Sequence, residues 1–366
     1  MNHLRRTHLL AVLVGGAALV AACSSSGASK ATTTVASTEV ATTVAETTTE
    51  APTTEAPTTL AETTTTVAAA GPVMPLTGQP VADPAFASRP ALVVKIDNHP
   101  QARPQFGLNE ADIVFEENVE HLTRFAAVFQ SQDAKRVGPI RSGRTQDIAL
   151  LGLLNKPLFA WSGGNPYVTN AIKNSDFTNL SPAAAGAKGG YFRNNRRGED
   201  YEHTLYNSTP ALYDAAAGRG GTPPQQFTYR AADAAAGGAP SAGADVKMDG
   251  VNVSWGWNAK DSVYLRSQDG RPHNDALNGQ VSASNVVILT VTYVPSPADV
   301  KSPEAQTIGS GAVFVLTGGN VITGTWTRAD RLSPFTLTDA SGAVIALTPG
   351  RTWVELARDG AATVKG

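Results

Sequence analysis

Apolar runs of strand length, broken by glycine, proline and asparagine, dominate the chain from residue 91 onward. Residues 91–96, Ala-Leu-Val-Val-Lys-Ile, close on Asp97-Asn98, the pattern of a buried strand ending in turn chemistry. Residues 112–119 and 124–129 predict two further strands across a short polar break, and residues 158–161 a fourth. Residues 145–155 carry Ile148, Leu151 and either Gly152 or Asn155 at helical spacing, with Lys156-Pro157 as the stop. In Ser162-Gly163-Gly164-Asn165-Pro166, Asn165 can cap and Pro166 can open a helix to about Asn174. Strand, Gly-rich turn and helix in that order suit an α/β unit whose ligand cleft lies beyond the carboxyl ends of its strands.

Residues 211–243 are rich in Ala, Gly and Pro, and residues 231–245 read as an interdomain linker or long loop. Beyond them, residues 251–257, 262–266, 285–294, 311–316, 320–327, 335–339, 343–347 and 352–356 alternate or run apolar at strand length. Asp339 to Gly342 looks like a hairpin turn. The expected architecture is an α/β N-terminal domain, residues 72–230, followed by a mostly β C-terminal domain, residues 246–366.

The first 71 residues follow other rules. Arg5-Arg6, an apolar run from Leu9 to Val20 and then Val20-Ala21-Ala22-Cys23 match the lipobox of bacterial lipoproteins. Residues 1–22 are therefore expected to be a lipoprotein signal peptide and Cys23 the lipidation site; the apolar stretch is too short to span a bilayer well. Residues 24–71 repeat Thr, Ala, Glu and Pro and cannot bury a core, so residues 23–71 are expected to form a lipidated, disordered tether with a reach of roughly 40 Å. Cys23 is the only cysteine, which excludes disulfides and leaves no catalytic thiol in the exported part. Without leader and tether the chain has 26 basic and 26 acidic residues, so a nucleic-acid partner is disfavoured and any anion affinity must come from a local cluster.

One set of motifs spans nearly everything from residue 74 onward. Pro75-Leu-Thr-Gly78, Arg89-Pro90, Ile96-Asp-Asn98, Ala102-Arg-Pro-Gln105, Gly107-Leu108, Ala111-Asp-Ile-Val114, Thr123-Arg-Phe125, Gly138-Pro-Ile-Arg-Ser142 and Pro272-His-Asn-Asp275 resemble the YerB-like lipoprotein family of bacterial cell envelopes. The resemblance implies a two-domain extracytoplasmic lipoprotein carrying a domain of unknown function, and an association with peptidoglycan-synthesis machinery. Where the family has Gly-Gly after Val-Glu, this chain has His121-Leu122 after Glu120, which leaves the tight glycine turn in question.

Arg141-Ser142-Gly143-Arg144 is the segment with most chemistry. With Ser142 as helix cap, both arginines would sit at the positive end of the helix dipole and call for a negative partner. One reading is an anion subsite for a carboxylate or phosphate, with Asp97, Asn98, Arg103 and Arg124 around it and backbone N–H groups of Ser162-Gly163-Gly164 assisting. The other is internal pairing with Asp97, Glu116, Glu120 or Asp147. Tyr191-Phe192-Arg193 suits stacking a sugar or pairing with carboxylates, or is a solvated loop. Glu116 and Glu120 would be about 13 Å apart on an uninterrupted strand, too far for glycoside hydrolysis unless the strand bends.

His203 and His273, with Asp275 nearby in sequence, are candidate acid–base groups. They could also assemble a His/His/Asp metal set, although the spacing has no recognised ligand signature; no cofactor or metal is expected. Trp255, Trp257, Trp326 and Trp353 read as packing residues. The functional expectation is a lipid-anchored accessory protein on the extracytoplasmic face of the cell membrane. It would bind an anionic wall component such as peptidoglycan, or a wall-synthesis protein, through an Arg-lined cleft. The alternative is a cell-wall hydrolase using His203 or His273 with a carboxylate.

Overall fold

The apolar run after Pro90 forms strand β1 (Leu92–Asp97), and the polar break between the next two runs is the turn of a hairpin, β2 (Ile113–Val119) and β3 (Leu122–Phe129). A computed structural model describes residues 71–366, which lie in one compact unit, Thr66–Gly366. The expectations for the leader, Cys23 and the tether to residue 70 fall outside the described residues. Helix α1 (Gln146–Leu151) and a 3₁₀ turn (Gly152–Leu154) lead into β4 (Leu158–Ala160), which pairs parallel to β1. Helix α2 (Pro166–Asn174) starts as expected: the Asn165 side chain accepts from the Val168 N–H at 2.9 Å. Asn165→Ala should cost about 1 kcal/mol, read by urea denaturation, because that N–H loses its acceptor.

Strand β5 (Thr178–Asn179) ends this edge of the sheet, and α3 (Thr209–Ala216) follows. The α3 helix overlaps the start of the Ala-, Gly- and Pro-rich stretch; Ser208 caps it, Pro210 occupies its first turn and Leu212 anchors it in the core. The C-terminal segment supplies β6 (Gly243–Met248), β7 (Val251–Asn258), β8 (Val263–Gln268) and β9 (Arg271–Pro272). It continues with β10 (Asn285–Thr290), β11 (Thr292–Ser296), β12 (Asp299–Gln306), β13 (Gly309–Thr317) and β14 (Asn320–Arg328). Last come β15 (Thr336–Asp339), β16 (Thr352–Ala357) and β17 (Ala362–Lys365). The apolar run 285–294 breaks near Val291, so β10 stays in the large sheet while β11 pairs with β12 in a separate hairpin. Residues 343–347 form two isolated bridges, Val344 to Thr338 and Leu347 to Tyr229, rather than a strand; Asp339–Gly342 is the expected turn, closed by Gly342 N–H to Asp339 O.

The large sheet runs β15-β14-β13-β10-β16-β2-β3-β1-β4-β5. Strand β16 lies parallel between β10 and β2, so the two sequence segments share one sheet. A second sheet, β9-β8-β7-β6-β17, covers one face together with α3, and the core between contains Val94, Val114, Phe125, Trp255, Tyr264 and Trp353. The other face is covered by α1, α2 and the β11–β12 hairpin over Val93, Phe115, Ala126, Leu151 and Ile172. Both faces are apolar, which is why β1, β2 and β3 read as near-continuous hydrophobic runs.

His121 takes the left-handed conformation (φ 54°) in the β2–β3 turn, so the backbone a glycine would favour is kept without one. The β6–β7 turn packs on it: a Cβ on Gly250 (φ 74°) would come within 2.1 Å of the His121 carbonyl oxygen.

Candidate anion-binding site

Alternation along the strands sends neighbouring polar residues to opposite faces at one end of the sheet. Lys95, Asp97, Glu117 and Arg124 lie on the α1 face, with Asp97 opposite Arg124 and Glu117 opposite Arg124 in the strand registers. Residues 138–144 extend along the end of β1: Asp97 N–H donates to Pro139 O (2.9 Å) and Arg141 N–H to Lys95 O (2.8 Å). The turn after β4 locks on from the other side through Ser162 N–H to Arg141 O (2.9 Å) and Gly143 N–H to Gly163 O (3.2 Å). The site therefore sits beyond the carboxyl ends of parallel β1 and β4, as the strand-turn-helix order suggests.

These pairings bring three guanidinium groups together. Arg141 Nε lies 3.2 Å from Asp97 Oδ2, with Glu202 3.9 Å from its other end, and Arg144 pairs with Glu120 at 2.7 Å. Arg124 donates to Ser142 O at 3.2 Å, and among the described residues no carboxylate lies within ion-pair distance of it. Burial, and then the Arg144 charge, lower its pKa to about 10. Burial pushes Glu120 upward, but the hydrogen bond and charge of Arg144 win and hold it at about 2. A cavity of about 210 Å³ opens beside Arg144, lined also by Glu120, Asn165, Ser296 and Asp299. Internal pairing, one of the two sequence readings, accounts for Arg141 and Arg144; it leaves Arg124 without a counter-charge in contact.

Ser142 does not cap a helix. Helix α1 starts at Gln146, and the Thr145 side chain at its N-cap bonds to Ser296 and Glu304 instead. The arginines are placed by backbone pairing beside β1, not by a helix dipole. Asp147 joins Arg144 N–H (2.7 Å) to Lys95, which also bonds to Glu117. The Ser162 N–H is spent on Arg141, so it cannot serve an anion nest.

Asp97 also accepts from His203 Nδ1 at 2.6 Å and from the His99 N–H at 3.0 Å, and the His99 ring stacks on His203 at 4.2 Å. Burial would raise the Asp97 pKa, but His203, Arg124 and Arg141 bring it below the usual range. Arg193 fastens the His203 loop by donating to Tyr201 O (2.5 Å) and Thr204 Oγ1 (3.2 Å), and its guanidinium stacks on Tyr201.

The opposite face holds a different network. Glu116 accepts twice from Arg266 (2.7 and 2.9 Å), and from Thr123 and the Trp353 indole. It is thus separated by its strand from Glu120, which pairs with Arg144, and the two carboxylates do not form an acid–base pair. His273 is fully engaged, Nδ1 with Arg266 (2.6 Å) and Nε2 with Gln105 (2.9 Å); burial and then the Arg266 charge push its pKa well down. Asp275 caps backbone N–H groups of Leu108, Leu277 and Asn278. His203 and His273 therefore do not share a metal set, and neither His273 nor Asp275 is free for catalysis. Asn98 bridges Thr123 and Gln268 and accepts from Arg103. Sequence reading missed Arg266, Gln105, Gln268 and the Lys95–Glu117–Asp147 cluster. A lysine inside the apolar run 91–96 was the one available signal, since a buried ammonium requires carboxylate partners.

An α/β first segment and a mostly β second segment thus share one sheet, with β16 of the second beside β2 of the first. The chain belongs to the DUF3048 family: residues 76–222 match "Protein of unknown function (DUF3048) N-terminal domain" and residues 244–354 its C-terminal domain. It is homologous to "Putative lipoprotein YerB" of Bacillus subtilis (strain 168), 29% identical over 302 residues that cover 78% of this chain and 86% of that protein. A crystal structure of YerB from Bacillus subtilis has the same fold, with TM-score 0.70 and 24% identity over 80% of this chain and 99% of that one. The family resemblance and the expected fold class are both borne out.

Proposed function

We propose that this chain is a lipid-anchored accessory protein of the cell envelope, facing outward from the membrane, that binds an anionic wall component through Arg124, Arg141 and Arg144. The observation that carries the reading is Arg124, a buried guanidinium with no carboxylate in contact and two further arginines beside it. A buried cation with no carboxylate in contact is expensive, and a bound carboxylate or phosphate would relieve it through charge-assisted hydrogen bonds. The lipobox ending at Cys23 supports the anchoring, as does the name of the YerB relative. A wall-synthesis protein presenting an acidic segment would satisfy the same site.

Co-sedimentation with purified sacculi at low and moderate salt tests this. Wild-type binding should weaken with salt, and Arg141→Ala/Arg144→Ala should lower affinity roughly tenfold or more, the scale of a lost charge-assisted contact. Salt-insensitive binding, or equal binding by the variant, would sink the reading.

A second reading, wall hydrolysis, is favoured by the His203–Asp97 pair, since an ionised carboxylate on Nδ1 orients an imidazole for proton transfer at Nε2. It requires new reducing ends or amines in the supernatant, lost in His203→Ala. Without such products the pair serves to order Asp97.

A further inference from the structure

On the face of the sheet away from the three arginines, a cleft of about 600 Å³ lies between the loop after β1 and the β8–β9 hairpin. Its volume falls within the range of small-ligand sites. Its floor includes Gln268, only 4% exposed, whose Nε2 is buried without a hydrogen-bond partner. The amide orientation is fixed from behind: Oε1 accepts from Arg266 (2.8 Å) and Asn98 (3.1 Å), both obligate donors there, so the free atom is the donor. A buried donor of this kind is costly unless something accepts from it.

The rim is cationic. Arg271 faces Gln268 in the strand register, is exposed and makes no ion pair among the described residues. Arg103 stands opposite, pinned to Asn98 O at 2.8 Å, and its Nη1 pairs with Asp269 Oδ2 at 3.6 Å. That pair is long and at the rim, and Asp269 also accepts the Asn252 N–H on its other oxygen, so an incoming carboxylate shares Arg103 with Asp269 and has Arg271 to itself. Pro100, Pro104 and Pro272 add apolar surface with no N–H, and His273 and Asn274 complete the lining. No Trp, Tyr or Phe lines the cleft, so a sugar ring finds no stacking platform.

We propose that this cleft binds the carboxyl end of a short peptide. The terminal carboxylate pairs with Arg271 and Arg103, a backbone carbonyl one or two residues earlier accepts from Gln268 Nε2, and small aliphatic side chains rest on the prolines. This site is separate from the one under Proposed function, and each can fail alone.

Isothermal titration of the full chain with acetyl-trialanine and with its C-terminal amide tests it. The acid should bind about tenfold tighter than the amide, the scale of one charge-assisted contact. Arg271→Ala, at an exposed position, should remove that preference. Gln268→Glu keeps an acceptor for Arg266 and Asn98 but replaces the donor, and should weaken the acid about tenfold in a variant whose circular dichroism spectrum matches wild type. Arg141→Ala/Arg144→Ala should bind the peptide as wild type does. Equal affinity for acid and amide, no binding of either, or unchanged binding in both cleft variants would overturn the proposal.

Discussion

Arg266→Ala should destabilise the protein by about 3–5 kcal/mol, because it strands the Glu116 carboxylate in a closed interior. Glu116 comes from β2 in the large sheet and Arg266 from β8 in the second; both side chains are fully buried, and Trp353 on β16 donates to the same carboxylate. The ion pair thus bolts the two sheets together where the two sequence segments meet. Arg266 also donates to His273 and Gln268, so its loss leaves further acceptors bare. Next to Glu116 in the parallel register is Glu355, which burial and then the Glu116 charge keep well above the usual carboxylate range. Arg266 is therefore the cation that answers this pair of adjacent carboxyl groups. Urea denaturation of the Thr66–Gly366 unit should show the loss, with a fall in melting temperature on the order of 10 °C. Glu116→Gln/Arg266→Met should recover most of it, since an uncharged pair of similar volume has no desolvation penalty. A single-mutant loss under about 1 kcal/mol would contradict the account.

Glu117→Gln should remove a pH dependence of stability that wild type carries on its other sheet face. Burial and then Asp147 raise the Glu117 pKa from 4.5 to about 7, with Lys95 opposing. A carboxyl whose folded-state pKa is raised stabilises fully below its unfolded value, and that contribution is lost as pH rises through the folded value. Its window is therefore about pH 4.5 to 7 and its size roughly 3 kcal/mol. Other groups act in the same window: Glu355 in the same direction, and buried His273, with its lowered pKa, in the opposite one. The measurement is accordingly a difference. Relative to wild type, Glu117→Gln should gain about 2–3 kcal/mol between pH 5 and 7.5 in paired urea titrations. A difference that stays flat across that range would rule out a protonated Glu117 beside Lys95. Asp97 and Glu120, both lowered, contribute losses only at more acid pH and do not confuse the comparison.

Local pattern alone specified a good deal of this protein. Apolar runs bounded by turn residues located β1 to β4, and Asn165-Pro166 fixed the start of α2 through one side-chain hydrogen bond. The family motifs, ordered along the chain, brought the resemblance. These features depend on neighbours within a few residues, so a sequence carries them openly. The sequence pattern assigns no element to residues 209–216, although Ser208-Thr209-Pro210 is a helix start.

What the tertiary structure decided is partnership. Arg141, Arg144 and Asp97 were legible as a charged cluster, but Ser142 as a cap was not: the segment instead pairs along β1, which only the fold reveals. Glu116 and Glu117 are adjacent in sequence yet serve opposite faces, one reaching Arg266, 150 residues away, the other Lys95. Period-two alternation predicts that neighbours diverge, but it cannot name the residue waiting on each side. That depends on β16 inserting beside β2 and on the second sheet folding across them, contacts set by burial of two apolar faces at once. The sequence carried most of the strands, the charge balance and the lipobox pattern ending at Cys23; only packing decided which charges meet, and that Arg124 has no carboxylate in contact and Gln268 Nε2 no acceptor.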